Sequence, residues 1–281
     1  MANDIRVGFN IHPRWVQGTT LRAFLSPLKK AGLSVLEFEL DNHLTQWEEF
    51  EPLMEATVDE GLDISFHAAY RAPHTLVGYA SEKQEEIKQD YRPLLQIAEQ
   101  WAVRLGNPHT VVFHAATAPA PHERAPLIAD TVAFLQWVCN EFPHLRIALE
   151  NNSPDAKNTI KLGIAHEDVL SLVRQIDHPH VGVCWDMGHD AQGNPQVEIE
   201  PEWLENVIHV HVHDVDGDGL DHYPLIFGKV PYHDWLTQLK QIGMKGVAVL
   251  ELKGERMKGW SVERITSVLT QSFSAIAREV K

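Results

Sequence analysis

The sequence predicts a single (β/α)8 barrel on three observations: eight short apolar runs recur along the chain, amphipathic stretches separate them, and glycines stand where those stretches should stop. The runs fall at residues 6–11, 35–40, 62–67, 110–114, 146–151, 180–186, 207–214 and 246–252 and read as strands. Helical stretches lie at 21–31, 47–60, 82–103, 125–141, 167–176, 232–242 and 262–280, and Pro201-Glu202-Trp203 marks a short helix before the seventh strand. Gly32, Gly61, Gly106 and Gly243 each fall between a helical stretch and the next strand, supplying the left-handed cap residue. Pro93 interrupts the third helical stretch, and either kinks one long helix or divides it in two. A chain of 281 residues is long for one domain. Barrels of this class nevertheless reach about 250 residues as one unit, so one domain over the whole chain is expected.

With 44% hydrophobic and 22% charged residues the chain can bury a large core, which argues against disorder over most of its length. The formal net charge of −15 speaks against a nucleic-acid partner, because affinity for a phosphate backbone comes mainly from clustered Lys and Arg. A bound cation would neutralise several of the carboxylates in that total. Cys139 in an apolar helical stretch and Cys184 inside a strand read as buried free thiols rather than a disulfide. The first nine residues lack the charged-then-apolar pattern of a leader, and no run is long enough to span a bilayer, so a cytoplasmic location without membrane association is expected. The sequence leaves the oligomeric state open, a homo-oligomer included.

Six of the strands end in, or carry, a metal-capable side chain: ISFH at His67, VVFH at His114, IALE at Glu150, VGVCWD at Asp186, VIHVHVHD around His211 and VAVLE at Glu251. Parallel strands joined by helices point their C-terminal ends the same way, so a barrel gathers these groups at one mouth, where active sites of this architecture are built. Carboxylate oxygens and neutral imidazole nitrogens suit manganese, magnesium, cobalt or zinc, and mutually repelling acids are costly to assemble without a cation. A divalent metal is therefore the expected cofactor. A lone His at a strand end is more often a solvated or capping residue. Glu150 and Glu251 resist that reading, because a carboxylate facing into a barrel must be paired or metal-bound.

Asp186 and His189 lie three residues apart in WDMGH, where both can turn to the same mouth. His209, His211 and His213 share one face of an extended strand, and one or two of them are expected as ligands, the rest being packed or hydrogen-bonded. Arg14, Arg71, Lys253 and Arg256 follow strand ends, placed to meet an anionic or polyhydroxylated substrate or else simply solvated. Trp15, Trp185 and Tyr70 either wall a pocket or pack in the rim.

The segments SFHAAY, VVFHAAT, ALENNS, GVCWDMGHDAQG, HVHVHDVDG, DHYPLIFGKV and VLELKGE, in that order from about His67 to Glu251, resemble the xylose-isomerase-like TIM barrel superfamily. That superfamily holds sugar phosphate isomerases and epimerases, related keto-sugar epimerases and inosose dehydratases, and the endonuclease IV type of apurinic endonuclease. The epimerase branch implies a metal held by Glu150, Asp186, His211 and Glu251, with His189 touching a substrate oxygen. It implies a small-molecule carbohydrate partner, a sugar, sugar phosphate, polyol or keto-sugar; by their own positions after strand ends and near the mouth, Tyr70, Arg71, Trp185 and Lys253 are expected to border it. In the implied chemistry the metal chelates a ketose carbonyl and its neighbouring hydroxyl, which acidifies the adjacent C–H and stabilises the resulting enediolate. Glu150 and Glu251 then exchange protons with its two faces.

The endonuclease branch implies more positions: His67, His114 and Glu150 around one zinc, the same quartet around a second, and His189 with an Asp-x-His pair around a third. Its implied activity is a zinc-dependent phosphodiesterase acting on abasic DNA. Tyr70, three residues after His67, matches an aromatic position of that branch. Here Asp221 and His222 are adjacent, with Leu220 where the Asp of the pair should fall, and the segment from His222 to Gly228 runs two residues longer than the usual pattern. The broken pair, and the lack of a basic run able to follow a DNA backbone, favour the isomerase. A third reading, a barrel that binds a ligand without turnover, gives no reason for two inward Glu residues.

Overall fold

The computed structural model describes residues 5–11, 20–40, 47–154, 158–193 and 196–280. In chain order the elements are β1 (Ile5–Asn10), α1 (Leu21–Lys30), β2 (Leu33–Leu40), α2 (Trp47–Asp59), β3 (Asp63–Ala68), α3 (Gln84–Leu105), β4 (His109–His114), β5 (Thr117–Pro119), α4 (Arg124–Glu141), β6 (Leu145–Glu150) and β7 (Thr159–Lys161). They continue with α5 (His166–Ile176), β8 (Val181–Asp186), α6 (Met187–Gly193), α7 (Pro201–Asn206), β9 (Val207–Val212), α8 (Tyr232–Gln241), β10 (Gly246–Leu250) and α9 (Val262–Val280). Eight of the strands form a closed barrel in the order β1-β10-β9-β8-β6-β4-β3-β2, which is the α/β architecture the sequence predicts. The remaining two, β5 and β7, pair as an antiparallel ribbon.

The chain divides into two compact units, one of residues 1–39, 43–65 and 186–281, the other of residues 40–42 and 66–185. In the first unit β2, β1, β10 and β9 run parallel, with pairings such as Gly8 to Val35, Gly8 to Val249 and Val249 to His211. Val35, Val247 and Val249 fill the interior there. Gly8 makes that layer fit, because a Cβ at this position would stand 2.8 Å from a methyl of both Val247 and Val249. On the outer side, Phe9 meets Phe273 of α9 edge to face at 5.6 Å.

In the second unit β4 pairs with β6 from His109–Leu145 to His114–Glu150, and β6 with β8 as far as Glu150–Cys184. Phe134 of α4 collects Tyr79, Tyr91, Phe113 and Trp137 into an aromatic layer under these strands. Both cysteines are buried and free, and burial pushes the Cys139 thiol up to about 11.

The strand predictions agree with the structure to within two residues at each end. The four glycines named above all adopt positive φ, and Gly106 caps α3 by donating to the carbonyls of Ala102 and Val103. α3 runs unbroken through Pro93. α6 was not expected: it starts on the residue after β8, with no loop between, so the sequence reads as a strand end running into a turn. No helix among the described residues is long and apolar enough to cross a membrane.

Candidate metal centre

The second unit carries His67, His114 and Glu150 at the ends of β3, β4 and β6. The Glu150 carboxylate is 1% exposed, and its Oε2 lies 3.2 Å from His67 Nε2 and 3.1 Å from His114 Nε2. The far side of each ring decides what those contacts mean. His67 Nδ1 lies 2.9 Å from the carbonyl oxygen of Ala68, and a carbonyl only accepts, so the proton of the neutral ring sits on Nδ1. His114 Nδ1 lies 3.2 Å from Asn152 Oδ1, and that amide is oriented by its own Nδ2, which donates to the Leu162 carbonyl at 2.7 Å. In its neutral form each ring turns an Nε2 lone pair toward a carboxylate oxygen. Three lone-pair atoms so close require a cation between them, a proton or a metal ion, and a ligating His typically donates its other nitrogen to a carbonyl or carboxylate in this way.

Tyr70 borders the set, its ring centroid 4.3 Å from that of His114 and 5.3 Å from that of His67. Arg71 lies over the Tyr70 ring at 4.9 Å and donates to its hydroxyl at 2.6 Å. Trp185 departs from the expected pocket wall: it is 0% exposed and packs edge-on to His166 at 6.2 Å, so its role here is packing.

The first unit carries a larger set. Asp186, His211 and Glu251 offer ligand atoms within 4.8 Å of one another. Asp186 ends β8 and takes the His189 N–H at 2.8 Å, holding the start of α6 against the carboxylate, while His189 Nδ1 lies 3.3 Å from its Oδ2. His211, on β9, has Nδ1 3.3 Å from Glu251 Oε2 and Nε2 3.0 Å from Oε1 of Glu37.

His213, one residue beyond β9, behaves differently. Its Nδ1 accepts the His222 N–H at 2.9 Å, so its proton is on Nε2, which donates to the Asp186 carboxylate at 3.0 Å. Burial pushes this imidazole below its usual value despite Asp186 beside it, which keeps the ring neutral. Its ring stacks on His222 at 4.1 Å and fills the space beside Gly188, where a Cβ would stand 1.9 Å from His213 Cε1. Of the three aligned histidines, His211 has a nitrogen facing the candidate ligands, His213 holds Asp186, and His209 lies 2.9 Å from Glu37.

Asp221 does not join His189 and His222 as a ligand set. The groups that converge with those two histidines are Asp186 and His213. Asp221 is taken up by Arg256 at 2.9 Å, Lys253 at 3.2 Å and His222 Nδ1 at 3.1 Å. Burial works to raise the Asp221 carboxyl, but these cationic neighbours outweigh it and hold it well below the usual range. Lys253 and Arg256, expected to meet substrate, are thus engaged by a carboxylate of their own chain. His222 also lies 3.1 Å from Glu251 Oε2. Burial alone would lower this imidazole, but Glu251 and Asp221 push it up to about 9. Arg14 and Trp15 lie outside the described residues.

Glu37 escaped the sequence reading. It is 1% exposed inside β2, between His209 and His211. Burial works to raise its carboxyl, yet His211 and His209 hold it well below the usual range. The signal was present in the run LEFEL, where an acid two places after Val35 must share its inward face.

The chain is 36% identical over 117 residues to the uncharacterized protein MJ1311 of Methanocaldococcus jannaschii, a match covering 40% of this chain and 38% of that one. The matched part thus spans about two fifths of that curated relative. The fold is similar to the crystal structure of a D-tagatose 3-epimerase-like protein, with a TM-score of 0.70 and 20% identity over 99% of this chain and 100% of the other. It is similar also to the D-psicose 3-epimerase of Clostridium cellulolyticum H10 crystallised with D-tagatose, with a TM-score of 0.68 and 15% identity over 98% and 97% of the two chains. Residues 25–269 match the family described as xylose isomerase-like TIM barrel, and the chain belongs to that family.

Proposed function

We propose that this chain is a divalent-metal-dependent isomerase or epimerase acting on a sugar or a related polyol or keto-sugar. The observation that carries the reading is the convergence of Asp186, His211 and Glu251, with His211 Nδ1 facing the Glu251 carboxylate at 3.3 Å. Glu150, the last residue of β6, is the proposed fourth ligand. Three carboxylates and one imidazole suit manganese, magnesium, cobalt or zinc. Such a cation, when bound, supplies Lewis-acid polarisation of a ketose carbonyl. The structural relatives named above support a carbohydrate substrate by their own names, a 3-epimerase-like protein and a 3-epimerase holding D-tagatose.

In this reading Glu150 and Glu251 divide the proton transfers. One takes the proton from the carbon beside the carbonyl, and the other returns a proton to the intermediate. Glu251 suits the part because its side chain is 15% exposed, unlike the fully buried Asp186. His189, held at the start of α6 by Asp186, orients a substrate hydroxyl. Tyr70 offers an apolar face beside His67 and His114. The test is interconversion of a ketose panel by protein loaded in turn with each of the four metals. Conversion with one metal that is lost in Glu251→Gln supports the reading, and no conversion with any of them overturns it.

The His67–His114–Glu150 set favours a second reading, a phosphodiesterase in which two or more cations activate water and stabilise the leaving oxygen. Zinc counting on protein purified without chelators, paired with nicking of an abasic-site oligonucleotide, separates the two. Nicking that depends on more than one zinc per chain, without ketose conversion, replaces the isomerase.

A further inference from the structure

We infer that Glu37 is a positioning residue that decides which nitrogen of His211 is offered to the metal centre. The inference rests on the proposed ligand role of His211. The Glu37 carboxylate meets three groups: His211 Nε2 at 3.0 Å through Oε1, and His209 Nε2 at 2.9 Å and the Ser65 hydroxyl at 3.1 Å through Oε2. An ionised carboxylate only accepts, so His211 carries its proton on Nε2 and its lone pair on Nδ1. Nδ1 is the nitrogen that faces Glu251 Oε2 at 3.3 Å. The His211 lone pair is thus directed at the Glu251 carboxylate, which His222 Nε2 also approaches at 3.1 Å, and Glu37 has fixed the tautomer that a metal ligand needs.

The surroundings argue that packing alone does not explain this acid. Val35, two residues earlier on the same strand, belongs to an apolar interior layer with Val247 and Val249. A leucine at position 37 would extend that layer without desolvating a charge, whereas a buried carboxylate is costly unless fully paired. Ser65 and two imidazoles supply the pairing. The arrangement is a carboxylate–histidine relay toward a metal, in which the outer partner sets ring orientation and ligand basicity.

The test uses the full chain loaded with zinc and compares wild type with Glu37→Gln, Glu37→Asp and Ser65→Ala. Glutamine keeps the size of the side chain but has only one oxygen to serve two imidazoles. Zinc affinity, read by competition with a chromogenic chelator, should fall about 10- to 100-fold in Glu37→Gln, with smaller losses in the other two variants. Long-range 1H–15N spectra of the zinc-loaded wild type should show His211 protonated at Nε2 and coordinated through Nδ1, a readout that stands whether or not the variants fold. Coordination through Nε2 overturns the inference, as does unchanged zinc affinity in a folded Glu37→Gln. Wild-type protein that binds none of manganese, magnesium, cobalt or zinc overturns instead the metal reading on which the inference rests.

Discussion

The histidine–carboxylate sets of the two units use the same residue types and fix them by different means. In the second unit His67 and His114 are held from behind by neutral acceptors, the Ala68 carbonyl and the Asn152 amide, and turn lone pairs toward Glu150. In the first unit a buried charge, Glu37, stands behind His211, while a main-chain N–H stands behind His213. The two rings of the first unit consequently face opposite ways in chemical terms, one offering a lone pair and the other a proton. An imidazole is a ligand or a hydrogen-bond donor according to what its far nitrogen meets, and its position on a strand does not decide the matter.

That contrast can be broken most severely at Glu150, the carboxylate that His67 and His114 face and a proposed ligand and proton-transfer group. Glu150→Gln should lower turnover of the responsive ketose by about 10²- to 10⁴-fold, the range for a lost acid–base group, and should also reduce bound metal. Turnover and metal content both unchanged would remove Glu150 from the site. Next comes Gly188→Ala, which forces the His213 ring out of its place. A melt in denaturant should show about 1–3 kcal/mol of destabilisation from overpacking, with the Asp186 side of the site disturbed and the zinc affinity of the second unit intact. A variant as stable as the parent would show that the His213 ring moves freely.

The opposite experiment acts on the second unit alone. Asn152→Leu removes the acceptor behind His114, and metal affinity at His67–His114–Glu150 should fall about 10-fold, measured by zinc titration, with no change at His211. The smallest effect belongs to Arg71→Met on the rim. Its guanidinium lies over the exposed Tyr70 ring, so stability should change by less than about 0.5 kcal/mol and metal binding not at all. A loss of metal there would extend the second-unit site outward to Arg71.

The fold was legible because strand and helix periods alternate cleanly and glycines mark the joints. The candidates Glu150, Asp186, His211 and Glu251 were visible in the sequence because each lies at or near the end of a predicted strand, where a charged or polar group stands out. Glu37 was hidden by the same logic, since attention to strand ends passes over an acid in the middle of one. His213 was seen but its role was not, because that role depends on the N–H of His222 and the missing Cβ of Gly188, neither adjacent to it in sequence. The capture of Lys253 and Arg256 by Asp221 joins residues 32 and 35 positions apart, beyond any local pattern. The β5–β7 ribbon escaped for a related reason: three residues are too few to show alternation, and the partner strand is remote.

Asp214 bears on redesign. Its backbone bridges to Tyr223, and its carboxylate accepts the N–H groups of Phe227, Gly228 and Lys229, so one acid clamps both ends of the loop that leaves β9. At the far end of that loop, Gly217, Asp218, Gly219 and the exposed Leu220 are turned back by Asp216, which takes the N–H groups of Asp218 and Leu220 at 2.9 Å each. A loop fixed at its root by one side chain and folded at its tip by another is modular. Its tip can be lengthened, shortened or exchanged to present new groups to an incoming molecule, while the histidines rooted in β9 keep their places.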